Sequence, residues 1–140
     1  MTAKDIKFKY SAITSDQELI LKYSKDKDYR ILANVARNKN TSEAILLTLI
    51  DDKNKKFKCE GEFFYAMYSL AENENITKKI IIKLLNLKDD QNGILFKCII
   101  ECIKKEILDD ILENEADKID LERLQEFKDL LISYKPRRRI

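Results

Sequence analysis

The chain has 140 residues, enough for one domain whose core needs neither metal nor disulfide. It is 44% hydrophobic and 37% charged at a net charge of +2, with two glycines and one proline, a balance that favours helices over sheets and turns. The complete lack of histidine removes the usual base for a serine or cysteine nucleophile, and two isolated glycines, Gly61 and Gly93, exclude a glycine-rich phosphate loop.

Residues 1–13 carry scattered charges and read as mixed and partly extended, without the apolar core of a signal peptide. Ser15-Asp16-Gln17-Glu18 has the form of a capping box, in which Ser15 accepts from the first turn and Glu18 reaches back. It opens a helix through Leu19, Ile20 and Tyr23 that ends near Lys25. A second helix is predicted from Tyr29 to Arg37, with Tyr29, Leu32, Val35 and Ala36 on one face. Asn38-Lys39-Asn40 breaks it, and Thr41 is expected to cap a third helix through Ile45, Leu46, Leu49 and Ile50. The polar loop Asp51–Lys58 follows.

The pattern then returns. Phe64, Met67, Leu70 and Ala71 reproduce Tyr29, Leu32, Val35 and Ala36 at a displacement of 35 residues, and Asn73-Glu74-Asn75 reproduces Asn38-Lys39-Asn40 at the same displacement. Ile80, Ile81, Leu84 and Leu85 repeat Ile45, Leu46, Leu49 and Ile50. Leu19, Ile20 and Tyr23 join the same series. Two helices per unit at such a period are the mark of a helical solenoid. The asparagines fit helix-end turns, where Asn tolerates the left-handed conformation and caps the next helix.

Beyond the repeat, one long helix is predicted from Asn92 to Glu113, apolar on most of its circumference through Leu95, Cys98, Ile99, Cys102, Ile103, Ile107 and Ile111. A last helix from Asp120 to Tyr134 turns Leu121, Leu124, Phe127, Leu131 and Tyr134 inward and closes the stack. Pro136 stops it, and Arg137-Arg138-Arg139 forms a basic tail over 135–140. The expectation is one helical-repeat domain over 1–134.

The run Val35-Ala36-Arg37-Asn38-Lys39-Asn40-Thr41-Ser42-Glu43, followed by Ile45, Leu46 and Leu49, resembles the leucine-rich-repeat-variant family, whose pattern is Val-Ala-x-Asn-x-x-Thr and then leucines at helical spacing. Leu70-Ala71-Glu72-Asn73-Glu74-Asn75-Ile76-Thr77 is a second, weaker copy, and neither copy has the proline common after the asparagine. The resemblance covers residues 15–90 and is shared in its periodicity by other HEAT-like repeats. It implies an all-α, right-handed solenoid of paired helices, with short 3₁₀ segments and a role in molecular association. The founding type carries an iron–sulfur cluster on a cysteine-rich segment; this chain has no such segment, so no cofactor is carried over.

Cys59, Cys98 and Cys102 are an odd number without a secretory signal, which favours reduced thiols. Cys98 and Cys102 face the same way on one helix, but three cysteines without histidine or a CxxC pair read as small core side chains rather than a metal site. Residues 1–58 carry a net +5, residues 59–132 a net −7 and the last eight +4, a dipolar surface suited to steering partners or to self-association. No run of 18 apolar residues is present, so no membrane span is expected, and the compartment expected is the cytoplasm.

The expected function is a non-catalytic binding module for a protein or peptide, with no cofactor. Equivalent helices of a solenoid line one wall, so Arg30, Asn34 and Arg37 are expected to point outward with Tyr65, Ser69 and Glu72, and with Tyr68 beside them. An alternative is nucleic-acid binding through Lys53, Lys55, Lys56 and Lys58 with Arg137, Arg138 and Arg139. A third reading is a homo-oligomer joined through the Leu121/Leu124/Leu131 stripe of the last helix.

Overall fold

The computed structural model describes residues 2–50, 68–87 and 94–134, and every regular element among them is helical. By its internal contacts the chain divides into two compact units, residues 1–76 and 77–140. The boundary falls just after the second asparagine signature. Among the described residues no helix is long and apolar enough to cross a membrane.

The first unit opens with a helix where extended chain was expected: α1 spans Ala3–Ile13. Ile6, Phe8 and Tyr10 alternate with lysines, a period of two that mimics a strand. The local start signal overrides it. The Thr2 hydroxyl accepts from the Asp5 amide at 3.2 Å, and the Asp5 carboxylate accepts from the Thr2 amide at 3.1 Å.

Helix α2 spans Gln17–Tyr23, and its cap is Asp16 rather than Ser15: the Asp16 carboxylate accepts from the amides of Glu18 and Leu19. Helix α3 runs Tyr29–Arg37 as the sequence predicts, started by Asp28, whose carboxylate accepts from the Arg30 amide at 2.9 Å. Helix α4 spans Glu43–Ile50. Here Ser42, not Thr41, meets the first turn, accepting from the Ile45 amide at 3.3 Å, while the Thr41 hydroxyl donates back to the Val35 carbonyl at 2.7 Å. A fifth helix, α5, is described over 68–71.

Residues 31–36 of α3 are all buried, which makes α3 the centre of this unit. Leu32, Val35 and Ala36 are sealed as expected, Tyr29 is half-buried, and Ile31 and Ala33 are buried on the other sides. Ile20 and Tyr23 of α2, Ile45, Leu46, Leu49 and Ile50 of α4, and Leu70 and Ala71 of α5 complete the core. Each large side chain so removed from water contributes about 1.5–3 kcal/mol.

The second unit is built around α6, Lys78–Leu85, which packs against the three helices that follow. Thr77 caps it, and Ile80, Ile81, Leu84 and Leu85 are all buried. The long helix expected over Asn92–Glu113 is two helices: α7, Ile94–Cys102, and α8, Lys105–Asn114, with Lys104 extended between them at φ −60°, ψ 138°. The reason is phase. At about 100° per residue on one unbroken helix, Ile111 would fall beside Ile100, but Leu108 would point about 80° beyond the edge of the arc that α7 buries from Cys98 through Leu95 to Ile100. The break lets both arcs face the core.

A 3₁₀ turn, Ala116–Lys118, leads to α9, Leu121–Ser133, capped by Asp120. Leu124 and Phe127 are buried as expected, but Leu121 is 82% exposed and Leu131 only half-buried. Steps of three residues drift backwards by about 60° each, so Leu121 and Phe127 cannot share one face. Arg123 takes the inward position instead. Its guanidinium lies 4.1 Å over the Phe96 ring and its Nε donates to the Leu85 carbonyl at 3.0 Å, while Phe96 and Phe127 meet edge to face at 5.4 Å. Asn86 ties the end of α6 to the start of α9, donating to the Lys118 carbonyl and accepting from the Asp120 amide. At the far end of α9 the Tyr134 hydroxyl bonds the Glu101 carboxylate.

Candidate functional site

The asparagines hold helices of the first unit together. Asn38 and Asn73 are buried, and each donates its amide to carbonyls at the end of an earlier helix. Asn38 Nδ2 donates to the carbonyls of Thr14 at 2.9 Å and Ser11 at 3.3 Å, and its Oδ1 accepts from the Asn40 amide at 2.9 Å. Asn73 Nδ2 donates to the carbonyls of Ala36 at 2.7 Å and Asn38 at 3.1 Å, and its Oδ1 accepts from the Asn75 amide at 2.8 Å. Asn40 and Asn75 reach the carbonyls of Ile13 and Lys39 in the same manner. Last-turn carbonyls have no partner within their own helix, and these amides supply one. The expected left-handed turn is therefore not the reason for Asn38, which is extended at φ −63°, ψ 115°.

Of the residues expected on the exposed wall, three come together. Arg37 Nη2 donates to the Ser69 hydroxyl at 3.0 Å and pairs with the Glu72 carboxylate at 3.1 Å. They bind one another across α3 and α5, and Ser69 is buried. Asn34 is a correction: it points inward, donating to the Phe8 carbonyl at 2.9 Å and the Ser11 hydroxyl at 3.1 Å. The sequence reading had no helix at residues 3–13 to cover it. Tyr68 is half-buried. Tyr65, Lys53, Lys55, Lys56, Lys58, Arg137, Arg138 and Arg139 lie outside the described residues, as do Phe64, Met67 and Cys59. Cys98 is buried and Cys102 half-buried in α7.

Arg30 stays at the surface and leads to a groove that the sequence reading missed. The N-terminal half of α1 and the start of α3 enclose about 570 Å³, with Phe8 and Ile31 as apolar lining and Lys4, Lys7, Arg30, Asp26 and Asp28 around them. Phe8 is half exposed, Ile31 buried. The rim charges are paired: Lys7 Nζ meets Asp26 Oδ2 at 2.7 Å, and Arg30 Nη2 meets Asp28 Oδ2 at 3.0 Å. The capping signal Thr2-x-x-Asp5 and the helical spacing of Ile6, Tyr10 and Ile13 were the clues in the sequence that a helix wall stands here.

These pairs shift the titration of their members. Burial pushes the Asp26 carboxyl up, but the hydrogen bonds from Lys7 and the Asp28 amide outweigh it, and the carboxyl stays below its ordinary value. The hydrogen bond from Arg30 likewise lowers Asp28, and the Asp26 hydrogen bond raises Lys7. A lowered carboxyl stabilises the fold above its unfolded value near pH ~4 and loses that contribution as pH falls through the folded one. A raised lysine does so below its unfolded value near ~10.4, losing it as pH rises further. The Lys7–Asp26 and Arg30–Asp28 pairs are thus charged across the neutral range.

The arrangement defines an all-helical protein with a groove of mixed character on its first unit. No family model, no curated protein and no solved structure matches the chain.

Proposed function

We propose that this chain is a non-catalytic helical-repeat binding module, a short HEAT-like solenoid that takes a protein or peptide segment in the groove between α1 and α3. The observation that carries this reading is the groove itself, with an apolar lining at Phe8 and Ile31 and both signs of charge at its rim. Such a surface complements a short segment that offers one apolar anchor flanked by charged side chains. Rim carboxylates and cations that neutralise one another are suited to exchanging partners with a ligand rather than to proton transfer. The solenoid reading draws support from the asparagine ties, which recur at a displacement of 35 residues and join the ends of α3 and α5 to an earlier helix.

Selection of a random peptide library on the full chain tests the proposal. Peptides pairing a large apolar residue with neighbouring charges are expected to be enriched. Phe8→Ser combined with Arg30→Glu should weaken them at least about tenfold, a loss of about 1.4 kcal/mol, with helicity by circular dichroism unchanged. Enriched peptides that bind the double variant as well as the parent would refute the groove.

A further inference from the structure

Helix α1 is amphipathic the wrong way round for a helix packed only against its own chain. Its buried side is Ser11, held by Asn34 and Asn38, whereas Ile6, Tyr10 and Ile13 are 41, 46 and 59% exposed. Their spacing of four and three residues puts them on one stripe. Beside that stripe a groove of about 350 Å³ between α1 and α2 is lined by Ile6, Leu19 and Tyr23 and by Lys7, Lys22 and Lys25. With Lys9 counted, and Lys7 paired to Asp26, the surroundings keep three lysines against Asp5 and Glu18.

Helix α9 carries the complement. Leu121 and Ile132 are 82 and 84% exposed, and with Gln125 and Lys128 they form one exposed line three turns long. Glu122, Glu126 and Asp129 stand exposed along its side. One face is apolar with an excess of lysines, and the other carries an apolar side chain at each end and an excess of carboxylates, three against Lys128.

We propose that α9 of one copy of this chain docks on the α1–α2 face of another, so that the protein self-associates head to tail. Leu121 and Ile132 cover the Ile6–Tyr10–Ile13 stripe, and Glu122 and Asp129 meet the lysines of α1 and α2. The occupant is a second copy because the carboxylates that the lysine-rich face lacks are supplied by the one other helix face here that exposes large apolar side chains in line, among the described residues. The two surfaces differ, so the contact is heterologous, and it either closes into a ring or extends as concentration rises. One helix on a shallow groove makes a small interface, and its charges are screened within about 10 Å at 0.1 M salt. The association is therefore weak and salt-sensitive.

Sedimentation velocity on the full chain over a concentration series reads this directly. The weight-average mass should rise with concentration at low salt and fall back by severalfold in association constant at 0.5 M salt. Ile6→Asp with Ile13→Asp removes one face, Leu121→Asp with Ile132→Asp the other, and all four positions are surface-exposed, so both variants should keep parental helicity and stay monomeric. Mixed together, each still offers one intact face, and they should form a one-to-one dimer that grows no further. A parent that remains monomeric at the highest concentration overturns the proposal. So does a mixture that stays monomeric, either variant that still associates alone, or a parent that binds anionic vesicles through α1 while remaining monomeric.

Discussion

Asn73 carries more of the fold than its size suggests, because its side chain bonds three backbone groups: the carbonyls of Ala36 and Asn38, the latter shared with the Thr41 amide, and the amide of Asn75. Removing it takes the side-chain partner from the buried Ala36 carbonyl, at about 1–3 kcal/mol, and weakens the bonding of the other two groups. Asn73→Ala is expected to lower the unfolding free energy by about 2–3 kcal/mol. Asn75→Ala, at an exposed side chain with one bond to Lys39, should cost less than about 1 kcal/mol. Urea denaturation of both variants checks the ranking, and equal losses would mean the buried amide is not what joins α5 to α3. The paired asparagines were legible in the sequence as a recurring motif. Their bonding was not, since the accepting carbonyls lie 24 to 37 residues away and backbone acceptors leave no mark on residue type. Arg123 was hidden for a related reason: its buried position depends on the Phe96 ring and the Leu85 carbonyl, neither of which has a fixed spacing from it.

Among the helices, the boundary between α7 and α8 makes the sharpest test. Lys104 occupies the N-cap of α8 in extended geometry, and its side chain satisfies none of the first-turn amides. Replacing it by aspartate supplies an acceptor where the amides need one and a negative charge at the positive end of the helix. Lys104→Asp should therefore stabilise the protein by about 0.5–2 kcal/mol, seen as a raised thermal midpoint. Were α7 and α8 one continuous helix, aspartate in its middle would destabilise it instead, so the sign alone decides. Helices with strong periodicity, such as α3, were legible almost to the residue. Two kinds of element were not. Helix α1 hides its spacing of Ile6, Tyr10 and Ile13 behind the strand-like alternation of Ile6, Phe8 and Tyr10 with lysines, and the α7–α8 break is set by which surfaces must face the core, a tertiary demand that no local signal announces.

Across the first unit, stability is distributed unevenly, and this follows from what each helix buries. Residues 31–36 of α3 are all out of water, so their amides exchange with solvent only when the core opens. Helix α1 buries Ser11 and is held by side-chain amides from Asn34 and Asn38 and by the Lys7–Asp26 pair at the surface. Its large apolar side chains keep 41–59% of their surface in water, and water replaces most of the hydrogen bonds lost, so detaching α1 costs less than opening the α3 core. Native-state hydrogen exchange should therefore place the α1 amides at least about 2 kcal/mol below those of Leu32 and Val35 in opening free energy. Protection in α1 equal to that of Val35 would mean that its polar contacts hold it as firmly as a hydrophobic core does. If α9 of another copy covers the outer stripe, raising the protein concentration should slow exchange in α1 while leaving α3 unchanged, because binding stabilises only the state it binds. A loosely held helix with an apolar outer face is thus the part of the molecule most responsive to a partner.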